Sequence, residues 1–310
     1  MRYSLMMHEG ASEQANSAVA TETIYVVACQ HTSPTDILLQ LPAFGLHCIT
    51  SAGVRIVSDR CIRSYVVTVA AGKRLIAKAV AQMDCVQTAM QQGMIAVGKG
   101  TTNAYILEEL FGRPIDKGAY CLGKTTPPDV DTSEVFSGQM EEVVFKNGAP
   151  VLGLGVKKAA PMMSAGDIVI KGANALDYAA GCAGLLVGHP AGGTWGALAG
   201  PVYGRGLHAI IPIGLEKQVA GSLRDTARKL AAMPELSKPH IPSLWIMEGQ
   251  IVTELEALKL LTGAECHQIG SGGVCGAEGA ARLLVEGTDA QVAAADALIT
   301  EIQNEPPFGE

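Results

Sequence analysis

Four short stretches of the chain carry residue types able to do chemistry. The first is Gly98-Lys99-Gly100-Thr101-Thr102-Asn103, set between the apolar run at 94–97 and a helix-periodic stretch at 104–110. Backbone N–H groups at a helix start attract anions, and glycine lets a phosphate or carboxylate come close to them. The Thr101 and Thr102 hydroxyls add donors, and Lys99 adds positive charge. The plainer alternative is a tight strand–helix turn with a threonine as N-cap. The pattern is neither a Walker A loop nor a complete G-x-G-x-x-G fingerprint.

The second stretch, Gly172-Ala173-Asn174-Ala175-Leu176-Asp177, follows the apolar run at 167–170 directly. Ligands of open parallel sheets bind beyond the carboxyl ends of the strands, which makes Gly172 and Asn174 candidate contacts; a simple turn with Asp177 as a cap competes. The third, at 188–200, holds Gly192, Gly193 and Thr194 as backbone-rich contacts, with His189 as its only titratable side chain. Close packing or a mobile lid would use the same glycines. The fourth, at 267–279, surrounds one carboxylate, Glu278, with small residues near His267 and Cys275. A desolvated carboxylate there would serve as a general base, with His189 the other candidate for moving a proton. An exposed turn glutamate is the competing reading.

These stretches need a scaffold. The apolar spacing of Leu75, Ile76, Ala79, Val80, Met83, Val86 and Met90 predicts one helix over 73–91, closed by Gly93. Strands are expected at 65–69, 94–97, 142–145, 151–156, 167–170 and 208–213, and a helix at 222–233. Short buried strands alternating with helices imply an α/β fold with a parallel sheet. After Pro234, Pro239 and Pro242 the pattern restarts with a strand at 243–247. The capping box Thr253-Glu254-Leu255-Glu256 opens a helix, strands follow at 264–269 and 281–285, and a helix at 288–303 ends the run. This β-α-β-β-α order fits a small ferredoxin-like α+β domain. The expected division is a leader and an unplaced region at 1–64, a ligand-binding α/β domain at 65–239, and the ferredoxin-like domain at 240–310. Within the first part, 1–22 reads as a loose leader and 24–29 as a strand.

Composition narrows the partners. Glycine supplies 36 of 310 residues, against a usual share of about 7%. Nineteen of them fall at 93–100, 172, 181–206 and 263–279, so the surplus gathers at the candidate stretches. Charged residues are 17% and the net charge is −7, with no long basic run, which argues against nucleic acid as a partner. The uncharged segment 178–203 is not expected to span a membrane, since Pro190, Pro201 and seven glycines interrupt it. The eight cysteines show no C-x-x-C or zinc spacing, so no metal is expected; no cofactor is expected either. Reduced thiols and an N-terminus without an apolar signal core make the cytoplasm the expected location.

Taken in order, these motifs resemble the superfamily of type A ribose-5-phosphate isomerase, glucosamine-phosphate deaminase and the CoA-transferases. The helix beginning Lys73-Arg74-Leu75-Ile76, the turn Gly98 to Thr102, the loop Lys171 to Ala175, the segment Ala191 to Leu198 and the strand running from Ile210 towards Lys217 follow the isomerase order over about residues 65–220. The resemblance implies an open, mainly parallel Rossmann-like sheet and a site for a small anionic metabolite, a sugar phosphate or acyl compound, with proton transfer or isomerisation as its chemistry. The chain departs from the pattern where the isomerases carry acids: Lys171 and Asn174 stand in the loop, and Gly200-Pro201 follow the glycine segment. A non-catalytic sensor of such a metabolite is therefore a rival expectation. A third is an oligomeric assembly protein, and a second subunit could complete so apolar a site.

Overall fold

The computed structural model describes residues 60–122, 125, 126, 131, 137–234 and 241–308, together with the backbone of four strands upstream. The expected leader at 1–22 lies outside the described residues. The chain divides into two compact units, residues 1–59 and 60–310.

In the first unit β1 (Tyr25–Val27), β2 (Ile37–Leu41), β3 (Gly45–Thr50) and β4 (Gly53–Val57) form an antiparallel meander in sequence order. Adjacent antiparallel strands need only short turns, and these strands follow one another closely in the chain.

The second unit is mixed α/β. Its six-stranded sheet has the order β14-β12-β9-β6-β7-β8. The ranges are β6 (Met94–Val97), β7 (Val143–Lys146), β8 (Ala149–Pro150), β9 (Ile168–Ile170), β12 (His208–Pro212) and β14 (Gln250–Val252). β6, β9, β12 and β14 run parallel, while β7 and β8 add an antiparallel edge. Every residue of β6 and β9 is buried, so side chains on both faces are covered; this is why the two strands read as unbroken Met-Ile-Ala-Val and Ile-Val-Ile runs.

The helix expected over 73–91 is two helices, α1 (Val69–Gln82) and α2 (Asp84–Gln92), separated by Met83 in an extended conformation. The break lets α1 pack on α3 (Thr101–Phe111) and α7 (Glu254–Thr262), while α2 packs on β6, β7 and β9. A single straight helix keeps one apolar stripe and could not serve both surfaces. Gly93 does follow α2, but in extended rather than left-handed conformation. The strand expected at 151–156 is largely turn leading into the short α4 (Val156–Ala159).

The region from 240 on is distributed over three sheets. β13 (Ser243–Met247) pairs with β11 (Cys182–Val187), which also pairs with β10 (Ala175–Asp177). β14 joins the large sheet. Only β15 (Glu265–Ser271) and β16 (Ala281–Gly287) pair with each other, and β5 (Cys61–Val67), from far upstream, completes that sheet beside β16. β5 and β16 pack on α8 (Asp289–Ile302), which opens at a capping box of Thr288 and Gln291. Two helices remain: α5 (Gly193–Arg205) precedes β12, and α6 (Leu223–Ala232) packs on β13. No helix among the described residues is long and apolar enough to cross a membrane.

Candidate functional site

The chain leaves β6 towards β7 on one side of it and leaves β9 towards β12 on the other. Adjacent parallel strands whose onward connections diverge open a crevice beyond their carboxyl ends. A cleft of about 530 Å³ lies here, bordered by Lys99 to Asn103 after β6 and by Lys171 to Asn174 after β9. The end of β11 with Gly188 and His189, the start of α5, Cys121, Leu122, Thr125, Lys73, Lys217 and Phe308 also border it.

Two helices begin at this cleft, and both begin on glycine. The N-cap of α3 is Gly100 and that of α5 is Gly192; neither helix start receives a side-chain hydrogen bond or has an acid in its first turn. The other helices longer than one turn are capped or carry an acid: Thr68 caps α1, Ser222 α6, Thr253 α7 and Thr288 α8, and α2 has Asp84 in its first turn. The four-residue α4 also starts on a glycine, Gly155, but its Val156 N–H donates to Glu142 Oε2 at 3.2 Å. Uncapped N–H groups with the positive end of the helix dipole behind them favour an anion. Gly192 cannot be exchanged freely, since its φ is +77° and a Cβ there would stand 2.7 Å from the Trp245 ring.

Four lysines border the cleft, Lys73, Lys99, Lys171 and Lys217, and no Asp or Glu is among the described residues that border it. Among the described residues none of the four forms an ion pair, whereas Lys78, Lys117 and Lys259 pair with carboxylates. Three of the ammonium groups meet backbone instead. Lys99 Nζ donates to Gly138 O at 2.7 Å, Lys171 Nζ to Gly172 O at 3.2 Å and Lys217 Nζ to Ala173 O at 3.1 Å. Lys73 Nζ lies 5.7 Å from the centroid of the Phe308 ring. Lys73 is only 8% exposed, and burial lowers its pKa from the usual lysine value. Burial lowers Lys171 further, to about 8, reinforced by the like charge of Lys217 and opposed by Glu142 and Cys121.

Buried polar groups normally find partners. The Thr102 Oγ1, Asn103 Oδ1 and Trp195 Nε1 atoms are buried with no hydrogen-bond partner among the described residues, and all three side chains belong to residues bordering the cleft. Asn103 Nδ2 is used differently: it donates to Gly98 O at 2.6 Å and to Ile170 O at 3.4 Å, tying α3 to the ends of both strands.

Most residues expected in the site, the ligand contacts and the proton-transfer candidate His189, thus come together. Lys99, Gly100, Thr101, Thr102, Asn103, Gly172, Asn174, His189, Gly192, Gly193 and Thr194 all border the cleft. Asn174 Oδ1 accepts from Leu186 N–H at 3.0 Å, which leaves its amide as donor. His189 is exposed, with Nδ1 accepting from Ala191 N–H at 3.0 Å. The Thr194 hydroxyl donates to Glu142 Oε1 at 2.6 Å. Two residues do not border the cleft. Gly98 lies behind it, under the Lys171 stem. Glu278 is exposed on the β15–β16 turn, where Oε2 accepts from Gly276 N–H at 2.9 Å. This is the competing reading of an exposed turn glutamate, not a carboxylate enclosed by small residues.

Lys73, Lys171 and Lys217 are not among the residues the motifs mark as site residues; in the motif order Lys171 stands as a departure from the isomerase loop. Lys171 carries a legible signal, since it is the first residue past a buried strand. Lys217 comes five residues after the end of β12, at the close of a single 3-10 turn. Lys73 carries none: it interrupts an apolar helix face as any solvated lysine would. The described cysteines 61, 85, 121, 182, 266 and 275 form no disulfide, and no metal-binding group of acids, histidines and cysteines occurs among the described residues. Comparison with protein-family models, curated proteins and solved structures finds no match.

Proposed function

We propose that the chain binds a small anionic metabolite, a sugar phosphate or an acyl compound, in the cleft beyond β6 and β9. One observation carries the reading: four lysines outside any described ion pair and two uncapped helix starts meet in one crevice whose described border has no carboxylate. A negatively charged group entering there gains the lysines and the free N–H groups. Backbone and hydroxyl donors from Thr101, Thr102 and Gly193 fix its orientation. The resemblance of the motif order to the sugar-phosphate isomerases supports a phosphorylated ligand. On this reading the parallel strands are the Rossmann-like half of such a fold, and β5, β15, β16, α7 and α8 take the place of its ferredoxin-like part. Reduced thiols suit a cytoplasmic setting.

The absence of a described carboxylate from the border favours an amine or imidazole over the isomerases' acids for any reaction here, and it leaves simple sensing as the rival. Thermal-shift titration against sugar phosphates, CoA esters and nucleotides tests the reading. Ligands that bind the native state raise Tm with concentration. The expected result is stabilisation by a phosphorylated or carboxylated ligand that weakens as salt rises. No stabilisation by any of them would refute an anion site. Product formation from a stabilising ligand would separate enzyme from sensor.

A further inference from the structure

The cleft gives one amine a setting unlike that of the other three. Lys171 leaves the end of β9 at the centre of the parallel strands and lays its stem over Gly98, the first residue beyond β6. A Cβ on Gly98 would stand 2.6 Å from Lys171 Cδ and 3.5 Å from Cε, so the missing side chain is what lets the stem lie there. Its amino group has no carboxylate within ion-pair distance among the described residues, and its one described hydrogen bond goes to the carbonyl of the next residue. Asn103 joins this corner to α3, since a Cβ on Gly172 would lie 3.7 Å from the unpartnered Asn103 Oδ1. The uncapped start of α3 and Lys99 therefore share one crevice with an unpaired amine.

We infer that Lys171 forms an imine with the carbonyl carbon of a ligand that also bears an anionic group, either a 2-oxo acid or a phosphorylated aldehyde or ketone. This rests on the anion-site reading, which supplies the second point of attachment. The lone pair of Nζ attacks the carbonyl carbon and gives a carbinolamine. The C–O bond then breaks, and the oxygen leaves as water with the two protons that nitrogen gives up, so no oxidant or reductant is consumed. An amine works as a nucleophile only when unprotonated, and desolvation beside a second cation is a recognised way of providing one. The lowered pKa of Lys171 agrees with that requirement. Lys99, by contrast, is turned to Gly138 O, a placement suited to holding charge.

Pyridoxal 5′-phosphate is a suitable probe, being an anionic aldehyde whose imine borohydride fixes. Pyridoxine 5′-phosphate, which lacks the carbonyl, serves as its control. In the full-length chain the expected result is one reduced adduct per chain, mapped to the peptide holding Lys171. Excess pyridoxine 5′-phosphate or inorganic phosphate should suppress it at least about tenfold. In Lys171→Met the adduct is lost while pyridoxine 5′-phosphate still raises Tm. Should that variant not fold, the peptide map and competition in the unmodified chain decide alone. Stabilisation by pyridoxine 5′-phosphate without an adduct at Lys171 would overturn the imine and leave the anion site standing. Labelling spread evenly over surface lysines such as Lys157 and Lys158 would overturn it too. If neither phosphate compound binds, both readings fall.

Discussion

The Lys171 side chain lies across Gly98, with Cδ only 2.6 Å from the position a Cβ on that glycine would take. The two residues stand just past the ends of β6 and β9, so an absent side chain on one strand sets the path of an amine on the other. Gly98→Ala should therefore move Lys171 without undoing the fold, because the clash is with the flexible part of a long side chain. In the native protein the amine is held at about 8 by burial and by Lys217, against the pull of Glu142 and Cys121. Its acetylation, followed by peptide mapping, should rise as pH passes about 8 rather than the usual lysine range. The Gly98→Ala curve should move back towards that range with little change in Tm. A native curve centred where surface lysines titrate would refute the assignment.

Thr102 offers a test in which binding and stability move apart. Its hydroxyl is buried with no partner among the described residues, at the second residue of α3. An unsatisfied buried hydroxyl costs stability, whereas one that meets an anion adds about 1 kcal/mol or more to binding. Thr102→Val keeps the shape and removes the hydroxyl. It should leave the unliganded Tm equal or higher, yet weaken phosphate-ester binding by about fivefold to tenfold. Isothermal titration and thermal melts of the same samples check both. A fall in Tm with affinity unchanged would assign the hydroxyl to the fold instead.

Much of this was legible in the residues, for local reasons. Thr253 and Glu256 announce α7 because a capping box is complete within four residues, and both of its hydrogen bonds form. Ser243–Met247 reads as a strand from its own sequence, and it is one. What the sequence could not show is which sheet it joins: β13 pairs with β11, some sixty residues upstream, through a register that no local pattern encodes. The same holds for β5, which sits beside β16 across most of the chain. The cleft shows the same division. Gly100, Thr101 and Thr102 are recognisable because glycine and hydroxyls before a helix have one common use. Lys73 becomes a cleft residue only through the packing of α1, and Glu278 reads as a candidate base only because exposure leaves no mark in sequence.

Arg74 ties the C-terminal segment to the helices behind the cleft. Its guanidinium pairs with Glu305 at 2.9 Å, with Glu109 at 2.9 Å and with Glu108, and lies 4.7 Å from the Tyr105 ring centroid. The side chains of Arg74 and Glu108 are 14% and 7% exposed, so removing the guanidinium leaves three carboxylates, one of them buried, to Lys117 alone, which lies 3.4 Å from Glu108 and 4.0 Å from Glu305. Arg74→Met should cost about 3 kcal/mol in urea denaturation, as broken buried pairs do. Phe308, which borders the cleft and lies 6.0 Å from the Tyr105 ring centroid, follows that segment. Hydrogen exchange over 303–308 should therefore quicken in the variant. A loss below about 1 kcal/mol, the range of exposed pairs, would show the network to be ornamental.

Glu254 makes the stability of this fold depend on pH in an unusual sense for a carboxylate. It is 3% exposed at the start of α7, crowded against Gly72 of α1, with Oε2 accepting from Leu215 N–H at 2.9 Å. Burial, aided by the charge of Glu216, raises its pKa from 4.5 to about 7; the Leu215 hydrogen bond and Lys217 oppose the rise. A group whose pKa is higher in the folded state takes up a proton on folding between the two values. Its contribution is complete below pH 4.5 and is lost as pH rises through about 7, beyond which the buried charge is a standing cost. Glu254→Gln keeps an acceptor for Leu215 and cannot ionise. Relative to the native chain it should gain stability between pH 5 and pH 8, by up to about 3 kcal/mol. Melts at both values decide the point: a variant whose difference from the native chain is the same at pH 5 and pH 8 would show that Glu254 titrates as an ordinary surface carboxylate.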